Sequence, residues 1–287
     1  MARASNGNII LSNFHIKKIL ELAELGEGEI STDLGISKKK FFSNGKEVSF
    51  EGYKTTVLLE YLEKVARKRD VHDCFILNEN GGLEWIYLFS EVNGVLKLYE
   101  PRIDTPPTLF INGSLMHSVA TTAIEEAMSK ARATKPTSRT ILDIGFGLGY
   151  TAMSLEKLGA MKIVSYEISE EALEIAKVNP WSKPALESDK VEIRNKDIFA
   201  DSKNIESASF DAVLHDPPNF NKFEYLYSLA FYGELYRIMK HRSTLYHFIA
   251  TKSEETAKLF SKTKRKLIEA GFSPVSESYR GLVAQKQ

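Results

Sequence analysis

The segment Thr140-Ile141-Leu142-Asp143-Ile144-Gly145-Phe146-Gly147-Leu148-Gly149-Tyr150 decides how the rest of the chain is read. It opens as a short apolar strand, passes through three glycines in five positions, and leads into a helix over 150–158. Glycines at such a turn let the backbone bend sharply and come close to a ligand. A dinucleotide site favours the spacing G-x-G-x-x-G, where a pyrophosphate meets a helix N-terminus. Here the spacing is G-x-G-x-G, and an aspartate precedes it. A carboxylate at that place repels pyrophosphate and suits a cationic ligand, one with an ammonium or sulfonium group. A glycine loop alone is also an ordinary tight turn, so its meaning depends on what surrounds it.

Downstream, apolar strands and amphipathic helices alternate. Strands are expected at 140–144, 162–166, 191–194, 210–214 and 245–250, with helices at 170–178, 225–239 and 254–270 and two closing strands at 273–279 and 282–285. That alternation implies crossover units on a parallel sheet, an α/β fold. Such sheets bind ligands at the carboxyl ends of their strands, near the point where strand order reverses. A helix over 116–131 precedes the first strand. Upstream the pattern is mixed: helices at 16–25 and 57–67, short strands between 29 and 50, and strands at 83–89 and 95–99. Asn44-Gly45 and Asn93-Gly94 read as hairpin turns. Pro106-Pro107 breaks the pattern. The expected division is a smaller N-terminal α+β domain with strand hairpins over 1–105, shaping the substrate pocket, and a catalytic domain over 110–287.

Two further acids follow at the ends of successive strands. Glu167 lies 24 residues after Asp143, where a carboxylate can accept both ribose hydroxyl hydrogens; beside Ser169 it also suits the start of the next helix. Asp197 can accept from an adenine amino group or cap a turn. Ordered on three successive strands, the loop and the acids point to an adenosine-bearing ligand. Over about 115–287 the chain therefore resembles the class I S-adenosylmethionine-dependent methyltransferases. The resemblance implies a Rossmann-like seven-stranded sheet and S-adenosylmethionine as cofactor. It also implies Asp143, Gly145, Phe146, Gly147 and Gly149 around the methionine portion, Glu167 at the ribose, and Ile168, Asp197 and Ile198 at the adenine, with Asp216 adjoining this set.

His215-Asp216-Pro217-Pro218-Asn219-Phe220 follows the fourth strand at the same rim. Two prolines fix the backbone and leave carbonyl oxygens free of ladder pairing. A carboxylate and a fixed carbonyl can accept from a substrate amine and aim its lone pair at an activated methyl, and positioning is most of what such a transfer needs. A strand terminator with a capping acid has the same pattern. The segment resembles the (Asp/Asn)-Pro-Pro-aromatic motif of amino-group methyltransferases, with Asn219 in the aromatic position and Phe220 one later. That resemblance implies roles for Asp216, Pro217, Pro218 and Asn219, and His215 beside them is a candidate base. Methylation at carbon 5 of a pyrimidine needs a cysteine nucleophile, and the only cysteine, Cys74, lies in the N-terminal region. Leu226-Tyr227-Ser228 and Phe231-Tyr232 resemble the spermidine synthase group, and the nearest likeness is to predicted archaeal methyltransferases related to it. This implies an alternative, aminopropyl transfer from decarboxylated S-adenosylmethionine, and a homo-oligomer joined through the N-terminal strands. Aminopropyltransferases carry a second acid where Asn219 stands. A polyamine cation wants paired carboxylates, so the residues favour methyl transfer to an amine nitrogen.

Composition sets the outer bounds. The 38 basic and 38 acidic residues cancel, so the excess of cations that drives non-specific nucleic-acid binding is missing. A tRNA or rRNA substrate stays an alternative, through the basic runs at Lys38-Lys39-Lys40 and 262–266, which otherwise read as solvated faces. A third alternative is a sensor that binds the cofactor without turnover. One cysteine excludes an internal disulfide, and no zinc-ligand spacing occurs, so no metal is expected. No apolar run of about 18 residues is present and the first residues lack a signal core, so a cytoplasmic protein without a membrane partner is expected. His117 is a further candidate near the cofactor; His241 and His247 read as structural.

Overall fold

The alternation after Thr140 closes into one seven-stranded sheet in a computed structural model that describes residues 8–91, 93–217, 223–249 and 254–287. The chain forms two compact units. One holds the residues up to Ala123 together with Glu174–Lys183, and the other holds Ile124–Leu173 and Pro184–Gln287.

In the first unit the chain runs through β1 (Ile9–Ser12), α1 (Asn13–Leu22), β2 (Glu27–Ser31), β3 (Lys38–Ser43), β4 (Glu47–Phe50), β5 (Thr56–Leu58), α2 (Leu59–Lys68) and β6 (Cys74–Leu77). It continues through β7 (Leu83–Trp85), β8 (Tyr87–Ser90), β9 (Gly94–Tyr99), β10 (Thr108–Ile111) and β11 (Ser114–Leu115). Three small sheets result, ordered β1-β6-β7, β2-β3-β4-β5 and β11-β10-β9-β8. Gly45 turns the β3–β4 hairpin at φ 81, in the region that glycine tolerates. Leu11, Ile16, Phe41, Val48 and Leu62 form the centre of its core. Trp181 Nε1 donates to Leu34 O at 2.8 Å and ties 174–183 into this unit. The expected strand 83–89 breaks at the buried Ile86 into β7 and β8, which belong to different sheets. β1 and β6 escape sequence reading because each is a four-residue run buried at every position, with no alternation to mark it. Pro107 stands directly before β10, a place where a strand tolerates proline.

The chain then passes through α3 (Ala123–Ala133), β12 (Thr140–Ile144), α4 (Tyr150–Lys157), β13 (Lys162–Glu167), α5 (Glu170–Val178), α6 (Lys183–Glu187) and β14 (Val191–Asn195). After these come α7 (Ile198–Asp201), β15 (Phe210–His215), α8 (Leu229–Ile238), β16 (Met239–Phe248), α9 (Glu254–Glu269), β17 (Val275–Ser278) and β18 (Gly281–Lys286). The sheet order is β14-β13-β12-β15-β16-β18-β17. The first five strands are parallel, and β18 is antiparallel to both of its neighbours. This is the expected Rossmann-like sheet. Strand order reverses at β12, between β13 and β15, so the glycine loop sits at the switch point. Parallel strands covered on both faces read as continuous apolar runs, and β12 and β15 are buried along almost their whole length.

Three elements of this unit depart from expectation by the most. α3 starts at Ala123, not 116, and its buried face carries Glu126 and Lys130 among its alanines. The helix expected over 225–239 is a 3₁₀ turn at Glu224–Tyr227 followed by α8, because Ser228 Oγ accepts from Phe231 N at 3.1 Å and caps a new start. β16 begins at Met239, not 245, since the polar stretch Lys240-His241-Arg242 hides its first half from a pattern search. Leu142 is fully buried at the centre of the sheet. Leu142→Ala is expected to cost about 2–5 kcal/mol, read as a lower denaturant midpoint in equilibrium unfolding.

Candidate cofactor and acceptor site

β12 pairs in register with both neighbours, Ile144 lying opposite Tyr166 on one side and His215 on the other. Beyond that point the strands end and backbone bonds take over. Tyr166 O accepts from Gly145 N and Phe146 N, both at 3.0 Å, and Ile144 O accepts from Asp216 N at 3.0 Å. Gly145 has φ 101, and a Cβ there would stand 2.4 Å from Asp216 O. Gly149 has φ 77, and its Cβ would meet Phe146 and Ala185 at 2.7 and 2.9 Å. Gly147, at φ 52, faces open space: a Cβ would meet nothing within 4 Å. Two glycines therefore permit close packing, and the middle one leaves room above the loop. Phe146 is buried beneath it.

The three acids at this rim behave differently. Asp143 is fully buried under the loop, where its Oδ2 accepts from Ser165 Oγ at 2.6 Å and Thr151 Oγ1 at 3.2 Å. Its Oδ1 has no hydrogen-bond partner among the described residues. Burial pushes its pKa up to about 7, against the pull of the two hydroxyls. Glu167 is a strut: Oε2 accepts from Gly147 N at 2.8 Å and Oε1 from Ser169 N at 2.9 Å. Burial raises its pKa, while these backbone donors hold it down. Asp197 caps α7 by accepting from Phe199 N at 2.9 Å, and its charge acts on the nearby Tyr225 hydroxyl. Ile168 is 43 % exposed, a large apolar side chain left open at the same rim, whereas Ile198 is buried.

Asp216 follows β15. Its Oδ2 lies 2.6 Å from Lys130 Nζ, and its side chain keeps 17 % exposure. Lys130, only 1 % exposed, also contacts Glu126 Oε1 at 3.0 Å and lies 3.8 Å from the centroid of the Phe248 ring. Glu126 Oε2 accepts from Arg280 Nη1 at 2.7 Å. Burial raises the Asp216 pKa, and the Lys130 charge pulls it back. Burial alone would lower the pKa of Lys130, but Asp216 and Glu126 outweigh it and hold the ammonium above its usual value.

His215 is fully buried and stacks on His247, centroids 4.2 Å apart, against Tyr227, Phe231 and Tyr232. Burial keeps it neutral far below its usual range, and neither ring nitrogen has a partner among the described residues. Pro217 is buried; Pro218 and Asn219 lie outside the described residues. His117 belongs to the first unit, where Nδ1 meets Thr108 Oγ1 at 2.8 Å. The structure thus gathers the loop, Glu167 and Asp216 at one rim, with Asp143 below. Sequence reading missed Lys130, Glu126, Phe248 and Arg280. Only the Glu126–Lys130 spacing of one helical turn signals any of them locally, since Arg280 is 154 positions from Glu126.

The seven-stranded sheet and the glycine loop after its central strand are those that the resemblance to the S-adenosylmethionine-dependent methyltransferases implies. The family model for the methyltransferase small domain matches residues 110–230. An uncharacterized protein of Methanocaldococcus jannaschii is 34 % identical over 200 residues, 68 % of this chain and 68 % of that protein. A release factor glutamine methyltransferase of Bacteroides thetaiotaomicron is 38 % identical over 90 residues, 31 % of each chain. Two solved structures share the fold. A spermidine synthase in complex with a transition-state analogue has a TM-score of 0.60 at 14 % identity, covering 72 % of this chain and 78 % of that one. Spermidine synthase from Thermotoga maritima has a TM-score of 0.57 at 15 % identity, covering 74 % and 78 %. The chain belongs to the family of this archaeal protein, and its methyltransferase small domain makes it an S-adenosylmethionine-dependent methyltransferase. No helix among the described residues is long and apolar enough to cross a membrane.

Two outcomes follow from the loop. Gly147→Ala is expected to cost about 1–2 kcal/mol, the strain of a left-handed alanine. Gly145→Ala adds a collision with Asp216 O and is expected to lower the unfolding temperature further; equal shifts would mean that the close approach carries no weight. Asp143 holds its proton to a higher pH in the folded chain than in the unfolded one, so its contribution to stability is lost as pH rises from about 4 to 7. Asp143→Asn is expected to flatten that slope in unfolding measured across this range.

Proposed function

We propose that the protein transfers a methyl group from S-adenosylmethionine to an amine nitrogen. The observation that carries this reading is the placement of Asp216 beside the glycine loop, its backbone against Gly145 and its carboxylate held by a buried ammonium and still partly open. The site also fits the cofactor. Open space lies over Gly147, and a buried carboxylate with one unpartnered oxygen lies under the loop, suited to a ligand carrying positive charge. Glu167 retains lone pairs beyond its two backbone bonds for ribose hydroxyls. Exposed Ile168 and the Asp197 side chain suit the adenine, with Ile198 behind them. Asp143 is buried, so it acts on the ligand through its field and through the backbone it supports.

Bound there, S-adenosylmethionine supplies an electrophilic methyl on a sulfonium leaving group. The remaining tasks fall to the chain. Asp216 accepts an N–H hydrogen from the acceptor amine, which orients the nitrogen lone pair, and it can take the proton that the alkylated nitrogen releases. Pro217 fixes the backbone directly after Asp216. His215, neutral and walled in by aromatic rings, shapes this turn. The likeness to a release factor glutamine methyltransferase supports methyl transfer. Aminopropyl transfer is the weaker reading because the two acids facing this turn, Asp216 and Glu126, are already met by two bases, Lys130 and Arg280. A polyamine would find no surplus negative charge among them.

Calorimetric titration is expected to show tighter binding of S-adenosylmethionine than of its decarboxylated form. Labelled S-adenosylmethionine added to extract with the protein should label an acceptor, and Asp216→Asn should cut the rate by about 10²–10⁴, the usual worth of a proton-accepting group. Preference for the decarboxylated cofactor, or undiminished transfer by the variant, would overturn the reading. An RNA acceptor would show itself by binding that weakens steeply with salt.

A further inference from the structure

We propose that Lys130, backed by Glu126 and Arg280, is a positioning residue that fixes the Asp216 carboxylate for the transfer. The inference rests on the methyl-transfer reading and adds the part of the machinery that lies behind Asp216. Asp216, Lys130, Glu126 and Arg280 form a chain of alternating charge with links of 2.6, 3.0 and 2.7 Å. Phe248 closes it from the side: Lys130 Nζ is 3.8 Å and Arg280 Cζ 5.1 Å from the ring centroid. With two carboxylates and a ring face around it, the Lys130 ammonium has little freedom left, and Asp216 inherits that rigidity.

The energetics ask for such a role. A buried ion pair is weak evidence for stability, because apolar residues of similar volume often serve the fold as well or better. Glu126 and Lys130 are each 1 % exposed, on a helix whose buried face otherwise suits alanines. Their chain ends at Asp216, a partly exposed acid beside the loop. The arrangement also sets the charge of Asp216. The groups that act on it are Lys130 and Glu126 from α3, Arg280 from the turn before β18, Asp143 from β12, Tyr227 from the 3₁₀ turn and Tyr246 from β16. Of these, Lys130 is the cation in direct contact, and it opposes the effect of burial on the carboxyl.

The signs give the test. Removing the Lys130 charge leaves the partly buried Asp216 under the influence of Glu126, so its carboxyl should keep its proton to higher pH. Removing the Glu126 charge should act in the opposite direction. Carbon-13 NMR titration of aspartate-labelled protein is expected to move the Asp216 midpoint up by about one pH unit or more in Lys130→Met, and down in Glu126→Gln. The acid limb of methyl transfer from labelled S-adenosylmethionine into extract should follow each midpoint in the same direction. Should Lys130→Met not fold, Glu126→Gln still tests the coupling, because a downward shift shared by midpoint and limb is required. A limb that stays in place while the midpoint moves overturns the proposal and leaves the methyl-transfer reading intact. Midpoints that move with no transfer by any form, the unaltered protein included, overturn the reading and the proposal with it.

Discussion

The register of one strand organises the site. Because Ile144 lies opposite both Tyr166 and His215, β12 and β15 end level with Tyr166, one residue before the end of β13. Carbonyls at that level bind the first amides of the segments that leave the sheet: Tyr166 O holds Gly145 and Phe146, and Ile144 O holds Asp216. The glycine loop and the Asp216 turn are thereby stitched together by backbone alone. A Cβ at 145 would occupy the space of the Asp216 carbonyl, so the glycine there serves backbone packing first. The room for a ligand is made elsewhere in the loop, over Gly147. A parallel sheet whose order reverses at this strand leaves a crevice there, and the bonds above line that crevice with carboxylates.

Each carboxylate at the rim meets the cost of burial in a different way. Asp143 takes two hydroxyl donors, Glu167 takes two backbone N–H groups, and Asp216 takes an ammonium. Neutral donors leave the acid's charge to be answered by a ligand, which suits Asp143 and Glu167 to a cationic, hydroxyl-bearing cofactor. A full counter-charge answers it in advance. On the proposed reading, that suits Asp216 to orient a neutral nitrogen more than to attract a cation.

The sequence made the sheet legible because its signals are local. The apolar run 140–144, the glycines after it and the acids at strand ends all lie within short windows, and the strand–helix alternation repeats them. What was not legible lies where locality fails. β1 and β6 are short and buried on both faces, so they carry no period. Ser228 divides a helix that composition alone would continue. Glu126 and Lys130 look like the polar side of an amphipathic helix, yet they face inward, because their partners Asp216, Phe248 and Arg280 arrive from other strands. No window contains such a set.

The direction of the last strand takes on meaning through that set. The matched methyltransferase segment, 110–230, contains the loop, Asp216, Glu126 and Lys130, but it ends before Phe248 and Arg280. Both come from the β16–β18 edge. β16 runs parallel to β15, so its end, Phe248, reaches the rim where the site lies. β18 is antiparallel and pairs its first residue, Gly281, with Phe248. Only an antiparallel strand starts at that rim, and the turn feeding it places Arg280, at φ 48, beside Phe248 and within reach of Glu126. A parallel strand in the same position would bring its C-terminal end there instead. The reversed strand at the sheet's edge is thus the means by which the second base reaches the buried acid, and without it the chain of charge that ends on Asp216 would lose its far cation.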